Sequence, residues 1–153
     1  MIPTRRVVVV GALGAAMSAS VVGSARAQPG RPNVSLREAF EAAQAMKQRA
    51  LGWGDQPYGA VVLLDGVIVG EGPSRVVKDG NPDAHAERVA IADARRRTGR
   101  DDLAGALLVS TSRPCSVCEV AAAGAGIARM VHGPDLVDAG VPRANRAAPV
   151  HTD

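Results

Sequence analysis

Ala60-Val61-Val62-Leu63-Leu64-Asp65-Gly66-Val67-Ile68-Val69-Gly70 is a pair of short apolar runs split by Asp-Gly, one of the strongest two-residue hairpin signals. The stretch predicts strands over 60–64 and 67–70, paired antiparallel. Upstream, Ser35 followed three residues later by Glu38 forms a capping box, and Leu36, Phe40, Ala43 and Ala50 recur at helical spacing, so a helix precedes the hairpin. Downstream, 84–97 reads as a second helix, with Ala86, Val89, Ala90 and Ala94 on one buried side and Gly99 just past its end. A buried strand over 106–110, an Ala-rich helix over 115–127 and a strand over 129–132 complete the order. Helix, strand, strand, helix, strand, helix, strand is the pattern of an α/β domain, a mixed sheet with helices on its faces.

The first residues belong to a different category. Thr4-Arg5-Arg6 opens the chain, 7–23 carries no charge, and Ala25-Arg26-Ala27 has the small-x-small form of a cleavage site. We read 1–27 as an export signal peptide. The paired arginines resemble the twin-arginine type, with Sec-type export as the alternative. Once cleaved, the leader leaves no membrane anchor, and the protein is expected to be exported, periplasmic or secreted. Residues 28–33 are a Pro/Gly-rich irregular approach, 34–133 the folded domain and 134–153 an irregular C-terminal tail. Because Arg5, Arg6 and Arg26 leave with the leader, the 18 basic residues fall to 15 against 15 acidic ones. That balance argues against a partner with a phosphate backbone, which selects a basic surplus. Arg95-Arg96-Arg97 is the lone basic run and reads as a solvated helix face.

Chemistry concentrates at two helix starts. His85-Ala86-Glu87 opens the second helix, and Pro114-Cys115-Ser116-Val117-Cys118 opens the third. One imidazole and two thiols are three ligands for Zn2+, one short of a closed structural site, and an open fourth position is where a catalytic zinc holds water with its pKa lowered to about 7. The i, i+3 spacing puts both sulfurs on one helical face, and the positive end of a helix dipole favours thiolate. Glu87, two positions after the histidine, is placed to move protons, although a first-turn carboxylate also stabilises a helix N-terminus by ~0.3–1 kcal/mol. Each half has another reading. Cys-x-x-Cys in an exported protein is also the form of a thiol-disulfide redox protein, and a catalytically inactive relative could keep zinc for folding alone.

Over 34–133 the chain resembles the cytidine and deoxycytidylate deaminase-like zinc deaminases, whose His-x-Glu and Pro-Cys-x-x-Cys signature it carries. Asp55-Gln56-Pro57-Tyr58-Gly59-Ala60-Val61-Val62 is similar to that family's approach to its first strand, and Gly70-Glu71-Gly72 to its hairpin exit. Asn81-Pro82-Asp83-Ala84-His85-Ala86-Glu87 resembles the zinc-binding helix start of the guanine deaminase and tRNA-type adenosine deaminase branch. The resemblance implies a three-layer α/β/α sandwich, His85, Cys115 and Cys118 as zinc ligands, Glu87 as proton shuttle and the Ala86 backbone N–H as a contact to the base. It also implies a homodimer. Two departures bear on substrate. Pro73-Ser74 stands where many purine-acting relatives have Trp-Asn, so Ser74 becomes the expected substrate contact with a hydroxyl in place of an amide. Arg113 precedes Pro114 where a glutamate is common. Relatives also carry another strand and a closing helix, which little after Gly133 looks able to supply. The expected activity is zinc-dependent hydrolytic deamination of a free nucleobase or nucleoside, not of tRNA.

Overall fold

The computed structural model describes residues 33–144. The leader expected over 1–27 lies outside them, as do 28–32 and the end of the tail at 145–153. Five strands and three helices follow in the order α1 (Leu36–Gly52), β1 (Gly59–Leu64), β2 (Val67–Pro73), α2 (Ala86–Thr98), β3 (Leu107–Ser110), α3 (Ser116–Gly124), β4 (Arg129–His132) and β5 (Val137–Gly140). The sheet order is β2-β1-β3-β4-β5. The β3–β4 pair is parallel and the others antiparallel. It is the expected mixed sheet.

Local signals act as their chemistry dictates. Ser35 Oγ accepts from the Glu38 N–H at 3.2 Å while the Ser35 N–H donates to Glu38 Oε2 at 2.8 Å, so the capping box forms. Asp65 and Gly66 sit at φ 50° and 72°, the two positive angles of a type I′ turn. Along β1 the pleat sends successive side chains to opposite faces. Ala60 and Val62 pack with Ala86, Ala90, Ile91, Ala94, Leu108 and Ala122, the side covered by α2 and α3. Val61 and Leu63 pack with Ala39, Phe40, Ala43 and Met46 of α1. Two cores on opposite faces of one sheet make the three-layer α/β/α sandwich.

Boundaries differ from the sequence reading at several points. Leu36 is exposed at the first turn of α1, where no neighbouring element covers it, and Ala39 and Met46 are buried instead. On α2 the buried positions include Ile91, with Val89 only half-buried. Gly70-Glu71-Gly72 is not an exit from the hairpin but the continuation of β2. A Cβ on Gly70 would lie 2.3 Å from the Ala90 carbonyl oxygen, and one on Gly72 would lie 2.0 Å from that of Ala86. The two glycines therefore let α2 settle directly on the sheet. Helix α3 stops at Gly124 because Gly126 turns into the left-handed region at φ 74° and the Ile127 N–H bonds back to Ala122. The largest correction is β5, which lies inside the stretch expected to be irregular. It pairs antiparallel with β4 after a turn in which Gly133 and Leu136 take positive φ, and Arg129 on β4 holds Asp138 on β5 at 2.7 Å. Among the described residues no helix follows it, and none is long and apolar enough to cross a membrane.

Candidate metal centre and active site

Helices α2 and α3 lie on the same face of the sheet, and their N-termini converge. His85 is the N-cap of α2 and Cys115 that of α3, both in extended backbone and neither using its side chain to cap. Helices read from 84 and from 115 would place both inside the first turn; the helices begin at Ala86 and Ser116 instead. As N-caps they keep the imidazole and one thiol free to point away from their helices, while Cys118 follows in the first turn of α3. The His85 Nδ1 lies 3.5 Å from Cys115 Sγ and 3.4 Å from Cys118 Sγ. All three donor atoms fall within 4.8 Å of one another. Zinc–nitrogen and zinc–sulfur bonds at a tetrahedral angle put nitrogen and sulfur about 3.6 Å apart, so the donor set fits zinc as it stands.

Electrostatics point the same way. Cys118 is fully buried. Burial pushes its thiol pKa far above the ordinary range, and the Glu87 charge and Cys115 add to the effect. Glu87, 6% exposed, is raised as well, mainly by burial, against opposing hydrogen bonds and His85. Its Oε2 accepts from the Cys118 thiol at 3.6 Å. Two thiols and a carboxylate so close together cannot all ionise without a compensating cation, and a bound metal supplies it.

Two loops fix this geometry. Residues 111–114 are tied to the start of β1, since the Thr111 N–H donates to the Gly59 carbonyl at 2.9 Å and the Gly59 N–H to Thr111 Oγ1 at 3.2 Å. The loop between β2 and α2 hangs on Asp55, a buried carboxylate just before β1. It accepts from the N–H groups of Gln56, Val77 and Lys78 and from the Ser74 hydroxyl, all between 2.7 and 2.9 Å. Burial pushes the Asp55 carboxyl up, but the N–H donors of Lys78, Gln56 and Val77 together with Ser74 outweigh it and hold the pKa below its ordinary value. Sequence reading quoted Asp55 only as part of a strand approach. Three of its four partners lie 19 to 23 residues away, which leaves no spacing signal.

A cavity of about 570 Å³ opens beside the centre, lined by Gln56, Tyr58, His85, Ala86, Glu87, Ser112, Arg113 and Cys115. The structure thus brings together His85, Glu87, Cys115, Cys118 and Ala86 as expected. Ser74 is a correction. It is fully buried, its hydroxyl is committed to Asp55 at 2.8 Å, and it is not among the residues lining the cavity. Gln56, Tyr58 and Ser112 were not singled out, because their convergence depends on two loops meeting across β1.

An open three-donor metal centre with a buried carboxylate, set at two helix N-termini of a three-layer sandwich, is the class of site this chain presents. Residues 34–133 match the cytidine and deoxycytidylate deaminase zinc-binding region, and the chain belongs to that family. It is similar to a guanine deaminase of Bacillus subtilis, with 39% identity over 62 residues, 40% of each chain. It is also similar to a tRNA-specific adenosine deaminase of Aquifex aeolicus, with 36% identity over 88 residues, 58% of this chain and 53% of the relative. A solved structure from studies of A-to-I editing by tRNA:A34 deaminases superposes with a TM-score of 0.60 at 33% identity, covering 62% of this chain and 69% of the other. The alignments with the curated relatives thus span about half of their length or less.

Proposed function

We propose that the protein is a zinc-dependent hydrolytic deaminase that releases ammonia from a free nucleobase or nucleoside. The observation that carries the reading is Glu87, a carboxylate buried to 6% exposure, 3.6 Å from a ligand sulfur, on the wall of a cavity large enough for a heterocycle. His85, Cys115 and Cys118 would hold zinc, which when bound supplies Lewis acidity and a water acidic near neutral pH. Glu87 does the proton work. Burial raises its pKa, which brings a carboxyl nearer the operating range of a group that must take a proton and give it back. It takes one proton from water and delivers it to the ring nitrogen as the C–O bond forms, then takes the second from the added hydroxyl and delivers it to the amine as the C–N bond breaks, leaving a carbonyl and ammonia. The N–H of Ala86, in the first turn of α2, has no partner within the helix and would bind an acceptor on the base. Gln56, Tyr58 and Ser112 would orient the ring.

Zinc-loaded protein should release ammonia from at least one of cytosine, guanine, adenine or their nucleosides. The Glu87→Ala variant should retain zinc and lose turnover, and full activity in that variant contradicts the mechanism. We read the substrate as a small molecule because residues 28–153 balance 15 basic against 15 acidic side chains. An adenosine-34 tRNA should then neither be edited nor compete. Export is part of the proposal and rests on Arg5-Arg6 and Ala25-Arg26-Ala27; changing Arg5-Arg6 to Lys-Lys should stop it, and unaffected export would favour the Sec route. A homodimer, proposed from family resemblance, is checked by sedimentation.

A further inference from the structure

The cavity carries one charge that the deamination chemistry does not use. Among the described residues that line it, Arg113 is the one Lys or Arg, on the loop that leads into α3. Pro114 restricts the backbone of the residue before it, and the loop is held further by the Ser110 hydroxyl, which donates to the Ser112 carbonyl at 2.7 Å. The arginine is thus fixed at its base, and the residue is exposed. Arg75, Arg88, Arg96, Arg97, Arg129 and Arg143 each pair with a carboxylate. Arg113 forms no hydrogen bond or ion pair with any described residue. Among the described residues Glu87 is the one acid on the cavity wall, and it sits beside the Cys118 sulfur. His132, whose pKa is pushed down by burial and by the Arg113 charge, adds no negative charge to neutralise it.

Around this unpaired cation the same wall offers further donors in the Tyr58 phenol, the Gln56 amide and the Ser112 hydroxyl. The cavity, about 570 Å³, lies within the roughly 300–1,000 Å³ of sites that enclose ligands larger than a bare heterocycle. A guanidinium fork matches carboxylate and phosphate geometry with two parallel N–H bonds. Resting on the deaminase reading above, but extending its substrate from the bare base or nucleoside to an anionic derivative, we propose that Arg113 is a specificity-determining residue that selects substrates bearing an oxyanion, a carboxylate or a phosphomonoester, away from the amino group to be removed.

The test compares matched pairs on zinc-loaded protein: cytidine and guanosine against their 5′-monophosphates, and cytosine against 6-carboxycytosine, whose carboxylate is not on the carbon adjacent to the amine. The anionic member should be favoured in kcat/KM by about tenfold or more. Whether the nucleotide pairs or the ring-carboxylate pair shows it identifies the source of the oxyanion. The preference should weaken with added salt, collapse toward unity in Arg113→Met, survive in part in Arg113→Lys and invert in Arg113→Glu. Equal use of both members by the wild type overturns the proposal, and so does a preference that persists in Arg113→Met, since the anion would then be held by the metal or by another group. Binding of the unreactive products, uridine against uridine 5′-monophosphate and uracil against 6-carboxyuracil, is measured alongside by calorimetry. If no amine is released from any compound, the deaminase reading fails. An Arg113-dependent affinity difference between products would then still support the anion site, and its absence would sink that as well.

Discussion

The two faces of the sheet are built differently, and only one of them carries chemistry. On the α1 face the core mixes large and small apolar side chains, with Phe40 and Met46 over Val61, Leu63, Val109 and Val131. On the α2/α3 face the contacts are mostly alanines, at positions 60, 86, 90, 94, 106, 122 and 125, over Gly70 and Gly72. Small side chains allow close approach. That closeness is what brings a histidine from one helix start and two cysteines from another within 4.8 Å, and it buries Glu87 beside them. Both faces bury a core, and on the α2/α3 face the tight packing also gathers the three donors.

The widest contrast should come from one substitution on each face. Cys118→Ser removes one of the three donors proposed to hold zinc, so the variant should lose most of its metal in competition with a chelator and unfold at a lower temperature, because ligand binding and folding are coupled. Phe40→Ala, at 5% exposure on α1, should cost roughly 3–5 kcal/mol of stability while the folded fraction still binds zinc in full. Equal loss of metal in both variants would break the distinction between the faces. A smaller effect is expected from Gly72→Ala, whose Cβ would meet the Ala86 carbonyl oxygen at 2.0 Å. Pushing α2 off the sheet should cost about 1–3 kcal/mol and weaken zinc affinity more than a change of equal stability cost on the α1 face.

Asp55 sharpens the comparison because it holds the loop leading to His85. Replacing it with Ala leaves the N–H groups of Gln56, Val77 and Lys78 without their acceptor, which should cost about 1–3 kcal/mol in denaturant unfolding. Its folded pKa is depressed. The stability it contributes is therefore present above the unfolded value of about 3.9 and is lost as pH falls through the folded value. Acid unfolding of Asp55→Ala should accordingly lose part of the wild-type pH dependence below about pH 4. The smallest effect belongs to Arg129→Ala at the β4–β5 edge, an exposed pair worth at most about 1 kcal/mol and without consequence for zinc.

What was legible in the sequence was local or repeated at short spacing. The Ser35–Glu38 capping box, the Asp65-Gly66 turn, the Gly99 helix stop and the His-x-Glu and Cys-x-x-Cys donors all act within a few residues of themselves. Strand β5 escaped because Val137-Asp138-Ala139-Gly140 has few apolar residues and lies at the sheet edge, where pairing with β4 and the Arg129–Asp138 contact stabilise it instead of burial. Ser74 was misplaced because its environment is set by Asp55, nineteen residues away in sequence. The role of Gly70 and Gly72 likewise depends on a helix that begins fourteen residues after Gly72. Arg113 was visible as an oddity next to Pro114, but that it faces a cavity unpaired follows only once the loops at Tyr58 and Ser112 are seen to meet.

The most direct test of the account is metal analysis of the purified protein, with thiol titration on the same sample. The account predicts equimolar zinc in the wild type and in Glu87→Ala, both thiols protected until a chelator is added, and little zinc in His85→Ala or Cys118→Ser. A wild type that carries no zinc and shows a reversible disulfide between Cys115 and Cys118 would contradict it.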